Sequence, residues 1–189
     1  LNQEALEYFI PDNPDFSYTG SDIMAYFKDK PIKQLLIINP DNPSGNLLSK
    51  AELMSLLEWS KSKEIKLVVD ESFLDFAQSG NSISLLDEDL LNLNPHLIVI
   101  KSISKSYGVP GLRLGFLASG NKELIRLLKK DISIWNINSF AEFYMQIFIK
   151  YKDDYEKACL KFLRERDRFF SNLRQVSFLR VIPSAANYF

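Results

Sequence analysis

The sequence LLIINPDNPSGNLLSKAELMSLLEWSKSKEIKLVVD, residues 35–70, joins two short apolar runs through an amphipathic stretch. The runs at 35–38 and 66–69 are apolar on both faces, which is typical of buried parallel strands. Between them, Ser49 is followed three residues later by Glu52, a capping-box pattern that predicts the start of a helix. This stretch therefore predicts a βαβ unit.

Two further apolar runs extend this pattern. The run at 97–100 predicts a third buried strand, and the run at 114–118 predicts a fourth, followed by a helix that Asn121 would cap. From residue 138 onward apolar residues recur at helical spacing, so we expect long helices and then a final strand that runs to the end of the chain. The chain begins on Leu1 and ends inside that strand, so we expect a fragment of a larger protein.

These elements predict an α/β fold with a mainly parallel sheet and flanking helices. We expect the sheet unit over residues 1–133 and the helical start of a smaller α+β domain over residues 134–189. The length of 189 residues, with 46% hydrophobic and 25% charged positions, is sufficient for one core and the beginning of a second.

Charge and cysteine content exclude several classes of function. The formal net charge is -1, so no global basic field attracts nucleic acid or an anionic membrane. No uncharged run approaches the roughly 20 residues that span a bilayer, and we expect a cytoplasmic protein. Cys159 is the single cysteine and His96 the single histidine, which disfavours disulfides, metal centres and Ser-His-Asp hydrolases.

Polar residues follow the first two apolar runs, where open α/β sheets bind ligands. The first run ends in NPDNPSG, residues 39–45, whose two prolines and glycine make a rigid turn able to hold Asn42 in one orientation. The second ends in Asp70, a carboxylate that needs a cation or donors if it is buried. From these residues alone, a ligand site is as good an interpretation as a plain turn or an internal ion pair.

The third run leads into SISKSYGVPGLRLG, residues 102–115. Its hydroxyls and arginine can bind a phosphate group. Lys105 can in addition serve as an amine nucleophile if its surroundings lower its pKa. The Walker A order of residues is absent, so the loop predicts a phosphate site of another kind, with or without covalent chemistry at Lys105.

Taken together, the three loops resemble those of the fold-type I pyridoxal-phosphate enzymes, the aminotransferase class I and II group. The matching motifs are Asn-Pro-x-Asn-Pro-Ser/Thr-Gly at 39–45, Asp-Glu-Ser-Phe at 70–73, and Ser-x-Ser-Lys with Gly-Leu-Arg-x-Gly at 102–115. Within that group the chain is most similar to histidinol-phosphate aminotransferases and threonine-phosphate decarboxylases, through Trp-Asn-Ile-Asn at 135–138 and Ala-Asn-Tyr at 186–188. The resemblance covers essentially the whole sequence.

The resemblance implies pyridoxal 5'-phosphate as the cofactor, no metal, and a role for each matching residue. Lys105 would form the Schiff base with the cofactor aldehyde and then move the substrate's α-proton. Asp70 would pair with the pyridinium nitrogen and keep it protonated. The other cofactor-binding positions would be Asn42 at the phenolate oxygen, Phe73 beside the cofactor, and Ser102, Ser104 and Arg113 at the phosphate.

The activity implied is transfer of an amino group between a small amino acid or amine, phosphorylated ones included, and a 2-oxo acid, in a homodimer. Phe73 stands where many aminotransferases have tyrosine, and phenylalanine is similar to the pattern of threonine-phosphate decarboxylases, although an aromatic here is also ordinary packing. Decarboxylation of a phosphorylated amino acid on the same scaffold is therefore a second hypothesis. A third is a regulatory domain that binds the cofactor without turnover.

Two residues at the junction of the predicted domains have two interpretations each. Trp135 and Asn138 either line the substrate side of the pocket or seat the helices on the sheet. For Trp135 we favour packing, and for Asn138 both interpretations stay open.

Overall fold

The computed structural model describes residues 5–78 and 80–189. Over these residues the strands are β1 (Gln34–Ile38), β2 (Lys66–Asp70), β3 (Leu97–Ser102) and β4 (Gly115–Ala118). The α-helices of the same residues are α1 (Gly20–Phe27), α2 (Lys50–Ser62), α3 (Gly80–Ile83), α4 (Glu88–Leu93), α5 (Lys122–Asp131), α6 (Ser139–Phe148) and α7 (Lys152–Leu173). Short 3-10 turns lie at Leu74–Phe76, Pro110–Leu112 and Ile149–Tyr151.

The strands form one sheet in the order β1-β2-β3-β4. The first three are parallel, with Leu36 opposite Val68 and Val68 opposite Ile98. β4 runs antiparallel to β3, because the link between them holds a 3-10 turn and no crossover helix that would return the chain for parallel pairing. The mostly parallel sheet with flanking helices confirms the predicted α/β class, and the predicted βαβ unit at 35–70 is also confirmed.

Helix α2 begins where the capping-box pattern predicts. The Ser49 hydroxyl accepts the backbone N–H of Glu52 at 3.3 Å, and the Glu52 carboxylate accepts the backbone N–H of Ser49 at 2.8 Å. The helix packs its apolar side on one face of the sheet. The fully buried residues of this core include Leu53, Leu56 and Leu57 from the helix and Leu67, Val69, Leu97 and Val99 from the strands.

Replacing Leu57 by alanine tests this core. Leu57 has no exposed surface, so Leu57→Ala should lower the free energy of unfolding by about 2–5 kcal/mol through lost burial and the cavity left behind. Leu36→Ala is the matched control, because 62% of Leu36 is exposed on the opposite face. Urea unfolding measures both, and equal losses would contradict the assignment of the core to the α2 face.

The helices beyond residue 121 follow the predicted periodicity. Asn121 caps α5 by accepting the backbone N–H of Leu124 at 2.9 Å, as predicted. Helix α7 is joined to the sheet unit by Arg166, whose guanidinium donates to the carbonyls of Phe76 at 2.7 Å and Ala186 at 3.1 Å. In the part of the chain described, no helix combines the length and apolar content that a bilayer span requires.

The predicted final strand is wrong. Within the described residues no strand follows β4, and the segment at 184–188, which we call the terminal segment, is irregular. Its backbone bonds go elsewhere, since the N–H of Ala185 donates to the carbonyl of Gly45 at 2.9 Å. The Tyr188 hydroxyl donates to the carbonyl of Asp41 at 2.5 Å. With these partners in the loop after β1, the segment has no neighbouring strand to extend.

Candidate functional site

The carboxyl ends of β2 and β3 lie side by side and form one wall of a cleft. Glu71 donates its backbone N–H to Ile100 at 2.9 Å, and Ser102 donates its backbone N–H to the Ser72 hydroxyl at 2.8 Å. The cleft has a volume of about 550 Å³. Its polar lining includes Asp70, Ser72 and Ser102, and its apolar lining includes Ile125 and Leu128 of α5 and Ile132 just after that helix.

Asp70 lines the cleft and uses one of its carboxylate oxygens in a hydrogen bond. One oxygen accepts the backbone N–H of Ser72 at 2.8 Å, and the other has no hydrogen-bond donor among residues 5–78 and 80–189. The neighbouring Glu71 differs, because its buried carboxylate already accepts the Ser84 hydroxyl and the Leu85 N–H, both at 2.6 Å. Of these two acids, Asp70 is therefore the one able to accept a cation or an N–H from a bound molecule.

Lys105 presents an uncommitted amine. Its side chain is exposed and makes no ion pair or hydrogen bond with the described residues, and its Nζ lies 6.0 Å from the centre of the Phe73 ring. Phe73 is buried and packs edge-on against Tyr188, with ring centres 5.5 Å apart. The structure thus brings Lys105 and Phe73 together beside the terminal segment.

The three predicted phosphate ligands are only partly assembled. Ser104 is buried, and its backbone N–H donates to the Ser102 hydroxyl at 3.3 Å. Arg113 is exposed, adopts a left-handed φ of 52°, and donates to the carbonyl of Pro110 at 3.3 Å. The two serines are adjacent, whereas Arg113 has no hydrogen bond to either of them.

Asn42 lies on a loop that its neighbours hold in place. The Asp41 carboxylate accepts both the N–H and the hydroxyl of Ser44, at 3.1 Å and 2.6 Å. Buried Asn39 bridges to Leu48, accepting its N–H at 2.8 Å and donating to its carbonyl at 3.2 Å. Asn42 is exposed, and its side chain makes no hydrogen bond within the described ranges. Its predicted contact with a cofactor oxygen stays a prediction.

Gly45 marks the place where the terminal segment approaches that loop. Gly45 has a φ of 74°, and a Cβ built on it would lie 2.2 Å from the Ser184 hydroxyl oxygen. Gly45→Ala should therefore lower the free energy of unfolding by about 1–3 kcal/mol or more.

Gly108→Ala is the control for this substitution, because Gly108 has a similar φ of 65° and open space around its Cβ position. It should lose less stability than Gly45→Ala in the same urea titration. Equal losses would show that backbone strain alone, and not contact with Ser184, sets the cost.

Sequence reasoning missed several residues that hold the site. Ser72, Asp75 and Lys101 connect the loop after β2 to the end of β3, and Arg166 joins α7 to the same region. Lys101 could have been found from the sequence, because a lysine near the end of a buried strand needs an acidic partner. The others depend on contacts between distant parts of the chain.

Asn138 and Trp135 have different outcomes at the junction. Asn138 caps α6 by accepting the N–H of Ala141 at 3.0 Å and donates to the carbonyl of Leu112 at 2.9 Å. It thus seats the helices on the loop before β4. Trp135 is 89% exposed, so the expectation that it packs against the sheet is wrong for the part of the chain described.

Comparison with known proteins places these loops in a family. The family model described as aminotransferase class I and II matches residues 5–189. A histidinol-phosphate aminotransferase of Ruminiclostridium cellulolyticum is 29% identical, over 97% of this chain and 49% of its own length. A threonine-phosphate decarboxylase of Salmonella typhimurium is 32% identical, over 82% of this chain and 41% of its own length.

A solved structure gives the same comparison in three dimensions. The structure of a decarboxylase from Sulfurospirillum multivorans superimposes with a TM-score of 0.81 at 28% identity, covering 95% of this chain and 51% of that one. The chain spans about half the length of the curated relatives that it matches. These relatives are named both as aminotransferases and as decarboxylases of phosphorylated amino acids.

Proposed function

The chain belongs to the aminotransferase class I and II family, and we propose that it uses pyridoxal 5'-phosphate to transfer an amino group between a small amino acid or amine and a 2-oxo acid. The observation that carries this proposal is that the uncommitted amine of Lys105 and the carboxylate of Asp70 lie at or just after the carboxyl ends of two neighbouring parallel strands. An amine and a carboxylate at the same end of the sheet are the pair needed to hold an aldehyde and a pyridinium nitrogen.

The residues present fit this cofactor. Asp70 offers an acceptor for a ring N–H. The hydroxyls of Ser102 and Ser104, on residues whose backbone N–H and hydroxyl are in contact, suit a phosphate, and Lys105 offers a primary amine. When bound, pyridoxal phosphate supplies an aldehyde that condenses with amines and a cationic ring that withdraws electrons.

In this proposal the residues of the chain bind the cofactor and move protons. Lys105 Nζ holds the cofactor covalently and moves the proton at the substrate's α-carbon. Asp70 binds the ring N–H and keeps that nitrogen protonated, because an adjacent negative charge favours the charged form. The remaining assignments are Asn42 at the phenolate oxygen, Phe73 beside the ring, and Ser102, Ser104 and Arg113 at the phosphate, where Arg113 must turn away from Pro110.

The domain and assembly assignments belong to the same proposal. Residues 1–133 would be part of the cofactor-binding domain, and residues 134–189 the connecting helices with the start of a smaller domain. A homodimer, a cytoplasmic location and amino-acid and 2-oxo-acid substrates complete the proposal.

Decarboxylation of a phosphorylated amino acid is the second candidate, and Phe73 is the observation that favours it. The centre of the Phe73 ring lies 6.0 Å from Lys105 Nζ, and phenylalanine has no hydroxyl to donate to the cofactor. The similarity to the Sulfurospirillum multivorans decarboxylase, at a TM-score of 0.81, supports the same candidate.

One experiment separates the candidates. The protein is loaded with pyridoxal phosphate and mixed first with amino acids and amines, then with phosphorylated amino acids, while the cofactor absorbance and carbon dioxide are followed. The proposal predicts a spectral change with an amino donor that a 2-oxo acid reverses. Carbon dioxide release without that reversal would favour decarboxylation, and cofactor binding without turnover would favour a regulatory domain.

A further inference from the structure

Lys101 and Asp75 form an ion pair in the wall of the site. Lys101 Nζ lies 2.7 Å from Asp75 Oδ1, and the side chains are 12% and 13% exposed. Among the described residues it is the one ion pair in which both partners are this deeply buried. Lys101 is the penultimate residue of β3, and Asp75 lies in the 3-10 turn after β2.

The pair joins the turn after β2 to the end of β3, next to the two loops that carry the proposed chemistry. Asp75 follows Asp70 by five residues, and Lys101 precedes Lys105 by four. The loops are joined by the sheet ladder and by the bond from the Ser102 N–H to the Ser72 hydroxyl. Among the described residues, two side-chain hydrogen bonds connect the segment after β2 to β3. One is made by the Ser72 hydroxyl, and the other is the Lys101–Asp75 contact.

Stability does not explain why such a pair is present. Burying two charges costs desolvation free energy, and replacing a buried pair by apolar residues is often neutral or stabilising. Here the cost is increased, because Asp75 Oδ2 is buried and has no hydrogen-bond partner among residues 5–78 and 80–189. Burial, with the Asp75 charge as the next cause, also raises the pKa of Tyr107 to about 12.

Geometry offers a better reason. A charge-assisted hydrogen bond is short and directional, so it fixes the position of one segment against another. We propose that Asp75 and Lys101 are positioning residues that hold the Lys105 loop against the exit of β2, and thereby set the distance between Lys105 Nζ and the Asp70 carboxylate. This inference rests on the proposed function, because the distance matters only if both groups act on one cofactor.

Three variants of the cofactor-loaded protein test the inference. Lys101→Met leaves Asp75 buried and unpaired, Lys101→Arg keeps the charge, and the double variant Lys101→Met with Asp75→Asn removes both charges. Arg126→Met is the control, because Arg126 pairs with Glu123 on the exposed surface of α5. Each is measured for unfolding free energy, for amino transfer, and for the pH midpoint of the absorbance of the bound cofactor.

The inference predicts that stability and positioning separate in the double variant. Lys101→Met should lose stability, transfer the amino group roughly 10- to 100-fold more slowly, and shift the pH midpoint by roughly half a unit or more. The double variant should recover the unfolding free energy and keep the slow rate and the shifted midpoint, since the contact between side chains 101 and 75 is still absent. Lys101→Arg and Arg126→Met should resemble the parent protein.

Recovery of all three measurements in the double variant would overturn the inference, because the pair would then serve stability alone. A parent-like rate and midpoint in Lys101→Met would overturn it as well. If Lys101→Met does not fold, the double variant decides by the same criteria. Failure of the proposed function looks different, since borohydride would then fix no cofactor on Lys105 in the parent protein, and the inference would fall with it.

Discussion

Lys105→Ala is expected to abolish covalent attachment of the cofactor and to slow amino transfer by roughly 10²–10⁴-fold or more. Lys105 lies in the loop after β3, and its amine has no hydrogen bond or ion pair with the described residues. Without it no side chain at that position can hold the aldehyde or move the proton at the α-carbon. Single-turnover mixing with an amino donor measures the loss through the cofactor absorbance.

Rescue by small primary amines tests whether Lys105 acts through its amine. If Lys105 acts as an amine, then methylamine or ethylamine added to Lys105→Ala should restore part of the rate, because a soluble amine can take over the proton transfer. Lys122→Ala is the matched control, since Lys122 is an exposed lysine at the start of α5. An alanine variant that keeps the parent rate would contradict the assignment of Lys105.

Asp70→Asn is expected to slow amino transfer by roughly 10²–10³-fold while the cofactor stays attached. The carboxylate of Asp70 is the group that favours a protonated ring nitrogen. In the variant that nitrogen loses its proton more easily as the pH rises, so the rate deficit should grow with pH. A pH profile of the half-reaction measures this trend.

A cofactor analogue methylated on the ring nitrogen provides the discriminating control. Such a ring is cationic at every pH, so Asp70→Asn loaded with it should regain part of the rate and lose the extra pH dependence. Asp154→Asn, at an exposed carboxylate on α7, should behave as the parent protein. A deficit in Asp70→Asn that is the same at every pH would argue that Asp70 serves folding only.

The part of the fold that could be predicted is the part encoded locally. Apolar runs located β1, β2 and β3, and Ser49 with Glu52 located the start of α2. The candidate residues Asp70 and Lys105 lie at or just after the carboxyl ends of two strands. Because these strands are parallel, both residues are at the same end of the sheet.

The part that could not be predicted depends on contacts between distant residues. Asp75 is 26 residues from Lys101 in sequence, and nothing near Asp75 in sequence indicates its partner. The wrong prediction of a final strand has the same origin, because an extended apolar segment forms a strand only where a neighbouring edge is free. Here the terminal segment is bound to Gly45 and Arg166 instead.

The most direct test of the proposed function is to identify the residue that holds the cofactor. The protein is loaded with pyridoxal phosphate, reduced with borohydride and digested, and the peptides are sequenced by mass spectrometry. We predict one modified peptide, carrying the reduced cofactor on Lys105 within the segment 102–115. Modification of a different lysine, or none after reduction, would contradict the assignment of Lys105 and the function built on it.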